Sequence, residues 1–224
     1  MLCVLCGLEL IDYGEAYHIQ KRLWSQKVEG QAADALLLLE HPPTFTIGKS
    51  GKLENLLLSK EELNNEGMSL FFTDRGGDIT YHGPGQLVVY PIIDLKNRGK
   101  DIHRYIRDLE EVVIRTLADL SIEARRDEKN VGVWVGNEKI AAIGVSVRKW
   151  IAMHGLSLNV NPTLEHFSFI NPCGILDRGI TSVSKVLSRD VPMEVVVKRL
   201  VNHFSEVFDA DIEWGSVNSL RCDL

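Results

Sequence analysis

Long apolar runs are missing from this chain. Nowhere in its 224 residues does an uninterrupted apolar stretch approach the ~18 positions that a membrane-spanning helix needs. The opening residues, Met1 to Leu10, carry no basic group ahead of their apolar ones, so a secretory leader is not expected, and they read as a strand running into a helix. Cysteine is scarce as well. The four cysteines, at positions 3, 6, 173 and 222, cannot staple a chain of this size into a small disulfide scaffold. Cys3 and Cys6 make a C-x-x-C, yet no second close pair of Cys or His completes a zinc site. They are expected to be buried structural thiols, with Cys222 incidental, in a cytoplasmic protein whose thiols stay reduced. Positive charge is in deficit: 25 Lys and Arg against 31 Asp and Glu leave a net charge of −6. Sequence-independent binding to nucleic acid therefore has no global electrostatic support. The phosphate-cradling G-x-x-x-x-G-K-[ST] and the dinucleotide G-x-G-x-x-G are both absent.

What is present is ordinary globular composition, 45% hydrophobic, ample for a sizeable core. The length falls between one domain and two at ~150 residues per domain. Without a low-complexity linker or an internal repeat, a single domain over residues 1–224 is expected. Asp12 followed by Glu15 predicts a capped helix carrying Leu23 and Trp24 and ending near Gly30. Ala35 to Leu39 predicts a buried strand, Phe45 to Ile47 and Leu70 to Thr73 two more, and Ser59 the cap of a short helix. Gln86 to Leu95 predicts a strand whose Pro91 marks a bend or a sheet edge. After Asp101, the spacing of Ile102, Ile106, Leu109, Val113 and Leu117 predicts one buried helix face. Gly132 to Val135 and Lys139 to Val147 predict a hairpin about Gly136-Asn137, followed by a strand over Ala152 to Val160. Pro192 opens a last helix with Val196, Leu200, Phe204 and Val207 inward. Interleaved helices and strands with a hairpin among them predict an α/β or α+β fold with a mixed sheet.

Three stretches carry chemistry. Arg75-Gly-Gly-Asp-Ile-Thr-Tyr-His-Gly-Pro-Gly-Gln86 packs four glycines, an arginine and a histidine into twelve residues, far more than a hairpin turn needs, and predicts a ligand-binding loop. Lys139 stands between a turn and the apolar run Ile140 to Ile143. Such a lysine is either a solvated edge charge or a partly desolvated amine able to move protons. Asn171-Pro-Cys-Gly-Ile175 sets Cys173 in a constrained turn, where a thiol is accessible enough to act as a nucleophile, although a core role is the commoner fate of a lone cysteine. Spacing alone does not pair Cys173 with Lys139.

Taken together these stretches resemble the octanoyltransferases of lipoate biosynthesis. R-G-G-x-x-T-x-H-G-P-G-Q is intact from Arg75 to Gln86. G-V-W-V…K-I-A-x-I-G is matched from Gly132 to Gly144, H-G-x-x-L-N-V from His154 to Val160, and I-x-P-C-G-I from Ile170 to Ile175. The resemblance implies a fold like the catalytic domain of biotin and lipoate protein ligases, a mixed sheet flanked by helices. It implies transfer of an octanoyl group from octanoyl-acyl carrier protein to a lysine of lipoyl domains, those of 2-oxoacid dehydrogenase acyltransferase subunits and the glycine cleavage H protein. Cys173 would be the acylated nucleophile and Lys139 its activator, either as a neutral base or as an ammonium that stabilises the thiolate. Arg75, Gly76, Gly77, Asp78, Ile79, Thr80, Tyr81 and His82 would line the acyl site, with Ala142, Ile143, Gly144, Gly155, Leu156 and Ser157. Ser157 stands where many relatives carry Ala. Backbone N–H groups near Cys173 or at Gly76-Gly77 would hold the oxyanion. No cofactor, metal, nucleic acid or membrane enters this scheme. An ATP-dependent ligase on the same fold and a Cys–His thioester hydrolase using His82, His154 or His166 are the alternatives. Both implied protein partners are acidic, so a net-negative enzyme is expected to meet them through a basic rim, with Arg148, Lys149 and Arg178 as candidates.

Overall fold

The computed structural model describes residues 2–171 and 178–216. A strand, Leu2–Leu10 (β1), runs into a helix, Tyr13–Val28 (α1). Asp12 caps it, its carboxylate accepting from the Gly14 and Glu15 backbone N–H groups at 2.8 and 3.2 Å, which satisfies donors that the first helical turn leaves open. Cys3 and Cys6 fall in β1; their side chains, and all of Cys222, lie outside what is described.

The apolar run expected as a buried strand is Asp34–Glu40 (β2). Leu36 and Leu38 pack on one face and Ala35, Leu37 and Leu39 on the other, so both faces of this strand are covered. Thr44–Ile47 (β3), Ser69–Phe72 (β4) and Ile79–His82 (β5) form a separate three-stranded sheet in the order β4-β3-β5. Between β3 and β4, helix Lys60–Asn65 (α2) begins at a capping box in which Ser59 and Glu62 bond reciprocally. Strand β5 corrects the expectation of a loop from Arg75 to Gly85. Its Ile-Thr-Tyr-His sequence alternates, sending Ile79 and Tyr81 into the core of the small sheet, and it pairs antiparallel with β3 from His82–Thr44 to Ile79–Ile47.

The remaining elements are Gln86–Ile92 (β6), Ile102–Ala118 (α3), Arg125–Arg126 (β7), Val133–Val135 (β8), Glu138–Arg148 (β9), Ile151–Asn159 (β10), Gly179–Ile180 (β11), Val183–Leu187 (α4), Met193–Phe208 (α5) and Ile212–Ser216 (β12). The main sheet runs β12-β1-β2-β6-β10-β9-β8-β7, with β11 added beside β9. Its β12, β1 and β2 are parallel and the strands from β2 to β7 antiparallel, so the expected mixed sheet flanked by helices is borne out. Helices α3 and α5 cover one face, where Leu109, Val113, Leu200 and Phe204 meet Leu36, Val89 and Leu156. Helix α1 covers the other, with Ala16, Ile19 and Leu23 on Leu37, Val88 and Tyr90. Each large side chain buried in this way contributes on the order of 1.5–3 kcal/mol.

Three sequence expectations need correcting here. Pro91 does not mark a sheet edge, because β6 lies inside the sheet between β2 and β10. Its missing N–H is tolerated because the ladder with β10 spans only Gln86 to Val89 and stops short of it. Ile102 is exposed; the buried stripe of α3 starts one turn later, at Tyr105. Val207 is half-buried, and Phe208 completes the inner face of α5 instead.

Candidate active site

A cavity of about 310 Å³ opens on the α1 side of the main sheet, between β9, β10 and the segment that enters the small sheet. Strand alternation chooses its wall. On β10, Leu156 and Leu158 pack toward α3 and α5, which turns Gly155, Ser157 and Asn159 to the cavity. On β9 the same rule would place Lys139 with Ala141 in the core. A β-bulge prevents this. Val133 pairs with Ala141 but Trp134 pairs with Lys139, so Ile140 is one residue more than β8 can match. Ile140 and Ala141 both stay in the core, and Lys139 joins Ala142 and Gly144 at the cavity. Gly132 makes room for it. Its φ is +129°, and a Cβ there would stand 2.6 Å from the Ala141 oxygen and 3.3 Å from Lys139 Cε. The Lys139 Nζ donates to the Val131 oxygen at 3.1 Å and lies 4.9 Å from the centroid of the Trp134 ring.

The segment Arg75 to Asp78 forms the facing wall. Arg75 is buried and spends its guanidinium inside the protein. It donates to the Thr46 oxygen at 2.6 Å, to Thr46 Oγ1 at 2.9 Å and to its neighbour's oxygen at Gly76. Asp78 accepts from the Ile79 N–H at 2.8 Å and from Asn55 Nδ2 at 2.7 Å. Asn55 also accepts, through its backbone oxygen, from the Asn171 N–H, so one residue ties this wall to the end of the chain segment that precedes Cys173. Gly48 lies so close to the wall that a Cβ would come within 2.3 Å of the Gly77 oxygen.

Three buried histidines lie around the inner part of the site. His82 has its Nδ1 2.8 Å from Gln86 Oε1. Gln86 Nε2 donates to Asn159 Oδ1 at 2.9 Å, which fixes the amide orientation and puts the proton on His82 Nδ1. Burial lowers the His82 pKa to about 3, so the ring is neutral. His41, between the Ile11 oxygen and the Tyr90 hydroxyl, is likewise lowered to about 4 by burial. His154 sits at φ +56°, a region few side chains occupy, and donates from Nε2 to Asp74 Oδ1 at 2.8 Å. Burial lowers its pKa while the carboxylate partly restores it, and the His154 bond holds the Asp74 carboxyl below its usual range.

Of the residues singled out from the sequence, Lys139, Arg75, Gly77, Asp78, Ile79, Thr80, His82, Ala142, Ile143, Gly144, Gly155, Leu156 and Ser157 all border this one cavity. Gly76 and Tyr81 do not. Gly76 donates its N–H to the Val145 oxygen at 2.9 Å, which engages the donor expected for an oxyanion. Tyr81 points into the small-sheet core, against Phe45 and Phe167. Cys173 lies outside the described residues. Sequence reasoning missed Tyr13, Tyr90, Trp134 and Asn159, which also line the cavity; the two tyrosines carried no signal, while Trp134 and Asn159 sat unremarked inside quoted motifs. Arg178 and Lys129 border the cavity, whereas Arg148 and Lys149 do not, belonging to the exposed β9–β10 turn. Among the described residues no group of three His, Cys, Asp or Glu is placed to hold a metal ion, and no helix is long and apolar enough to cross a membrane.

Comparison with known proteins gives this geometry its family. Residues 12–205 match the lipoyl protein ligase A/B catalytic domain. The chain belongs to that family. It is 52% identical over 219 residues to an octanoyltransferase of Caldicellulosiruptor saccharolyticus, covering 97% of this chain and 93% of that one. Its relatives of this name make it an acyltransferase. The fold is that of lipoate-protein ligase A, solved with ATP bound, at a TM-score of 0.76 and 19% identity over 100% of this chain and 92% of that one. It extends more distantly to the biotin protein ligase of Aquifex aeolicus, at a TM-score of 0.53 and 15% identity over 92% of this chain and 69% of the other.

Proposed function

We propose that the chain transfers an octanoyl group from octanoyl-acyl carrier protein to a lysine of a lipoyl domain, through a thioester on Cys173, in the cytoplasmic assembly of protein-bound lipoate. The observation that carries this reading is the bulge at Ile140, which takes a lysine out of the core pattern of β9 and sets it on the wall of a cavity. A volume of about 310 Å³ is at the small end of ligand pockets and suits a single medium-length chain.

In the first half-reaction the Cys173 thiolate attacks the octanoyl carbonyl, the bond to the carrier sulfur breaks, and the carrier thiol leaves. In the second, the acceptor amine attacks the same carbonyl, the amide forms and the Cys173 sulfur is released. Thioester exchange is close to thermoneutral and amide formation is downhill, so neither ATP nor a metal is consumed. Lys139 assists at the sulfur, since a free thiol with a pKa near 8.5 is only a few per cent thiolate at neutral pH.

The test is transfer without nucleotide. Octanoyl-carrier protein and a lipoyl domain, mixed with the chain alone, should yield an octanoyl amide on the domain. Transfer that appears only with ATP and free octanoate would replace this reading with that of a ligase. Lys139→Ala should slow transfer by at least ~100-fold; a variant of undiminished rate would favour a Cys–His pair, and loss of the donor thioester with no amide formed would favour a hydrolase.

A further inference from the structure

The cavity has an open end and a closed one. Among the described residues, Gly77, Lys129, Val131 and Gly179 are the exposed part of its lining. The wall then runs inward along β9 and β10. Ala142 stands opposite Ser157 and Gly144 opposite Gly155. Leu156 pairs with Val89 of β6, which sets Tyr90 beside the Gly155 position. Here the cavity stops, against Tyr13, Tyr90 and His154, each at most 4% exposed.

Each of these rings is brought there by a different local device. His154 owes its place to its backbone. Ala152, Leu156 and Leu158 face α3 and α5, and alternation would set His154 with them. Its φ of +56° turns the ring to the α1 side instead, where it stacks on Tyr17 with centroids 5.6 Å apart. Tyr90 is held within β6, its hydroxyl 2.8 Å from His41 Nε2. The Ile11 oxygen can only accept, so His41 carries its proton on Nδ1 and the Tyr90 hydroxyl is the donor. Tyr13 opens α1, directly after the Asp12 cap, and its hydroxyl donates to Thr73 Oγ1 at 3.2 Å. Both tyrosine hydroxyls are therefore engaged within the protein. An alkyl end arriving between these rings leaves neither of them unpaired.

What stands behind each ring decides which of them can set a length. Behind His154 is the Asp74 carboxylate, at 2.8 Å, which offers nothing to a methylene. Tyr90 belongs to a strand inside the main sheet. Behind Tyr13 there are only further rings: Phe71 at 5.1 Å, His41 at 5.3 Å and His82 at 6.2 Å between centroids. A longer alkyl chain could advance only there. We propose that Tyr13 is the specificity-determining residue for acyl-chain length, its ring forming the stop against which the end of an eight-carbon chain rests. The inference rests on the octanoyl-transfer reading above and concerns the closed end of the cavity alone.

The test is the ratio of kcat/KM for decanoyl- over octanoyl-carrier protein. Tyr13→Ala removes the ring and keeps both the Asp12 cap and a good helix former. Each methylene newly buried is worth about 4-fold in relative binding, so the ratio should rise by about 15-fold for two. Tyr13→Trp should move it the other way, toward hexanoyl over octanoyl. Tyr13→Phe loses the bond to Thr73 but keeps the ring, and should retain the wild-type preference. Loss of folded protein lowers the rate for every chain length alike and leaves the ratio in place. Tyr13→Trp and Tyr13→Leu carry the test if Tyr13→Ala does not fold. Binding of free octanoate and decanoate, measured by calorimetry, should follow the same order without any transfer chemistry. An unchanged ratio in the folded variants overturns the proposal while the transfer reading stands, as does a wild type that takes decanoyl as readily as octanoyl. A wild type that transfers no acyl group from the carrier overturns both.

Discussion

Gly132 shows how closely one backbone angle controls Lys139. At φ +129° an L side chain is strained whatever the space, and here the space is also filled by the Ala141 oxygen. Gly132→Ala should cost about 1–3 kcal/mol, read as a fall in the urea midpoint. Transfer by the remaining folded protein should fall further, because the new methyl presses on the Lys139 stem. Unchanged specific activity would mean that Lys139 does not need its present place. The buried histidines give a second prediction. His41 and His82 are neutral in the fold, with pKa values of about 4 and about 3 against an ordinary 6.5. Above pH 6.5 both states of the chain carry them neutral and they exert no pH dependence. As pH falls below 6.5 the unfolded chain binds the protons first, so stability declines toward pH 4 by about 1.4 kcal/mol per unit for each histidine. His41→Gln should flatten that decline in urea titrations between pH 7 and 4.5; equal slopes would refute the assignment. Residues with distinctive chemistry, such as Lys139 and His82, were legible in the sequence. Trp134 was not, since a tryptophan on a short apolar strand looks the same whether it fills a core or carries a cation. Arg75 was legible as part of the site but not in its role, because only packing reveals that its guanidinium donates to Thr46 and Gly76.

At the scale of elements, the decisive feature is the one-residue excess of β9 over β8. Inserting one residue between Val133 and Trp134, opposite Ile140, should restore strict alternation, turn Lys139 with Ala141 toward the α3 face and abolish transfer. Far-UV circular dichroism should still report a mixed fold. An insertion variant with near-normal activity would show that the bulge does not orient the lysine. The hairpin β8–β9, the capped helices α1 and α2 and the two-faced strand β2 could all be foreseen, because turn residues, cap residues and apolar runs are local signals. Strand β5 could not, since its pairing with β3 is set by a segment more than thirty residues upstream (Thr44 opposite His82) while its own neighbours are glycines. Pro91 misled for the same reason: whether a missing N–H matters depends on where the neighbouring ladder stops.

The whole molecule carries a net charge of −6, which should hinder its meeting with acidic partners unless basic groups gather locally. Lys129, Lys139 and Arg178 border the cavity, and of these Lys129 is exposed. Lys129→Glu should raise the KM for octanoyl-carrier protein several-fold, leave kcat nearly unchanged and weaken the dependence of the rate on salt. Identical salt profiles for the variant and the wild type would place the docking surface elsewhere. The family and the mixed-sheet architecture were readable from four motifs in order, and Arg178 was foreseen as a rim cation, whereas Lys129 joined it, and Arg148 and Lys149 fell away, only once the chain was folded. The most direct test of the account is the intact mass of the chain after mixing with octanoyl-carrier protein alone. The account predicts a single octanoyl adduct on Cys173 that passes to a lipoyl domain without ATP and is absent in Cys173→Ser. An adduct on another residue, or none until ATP is added, would contradict it.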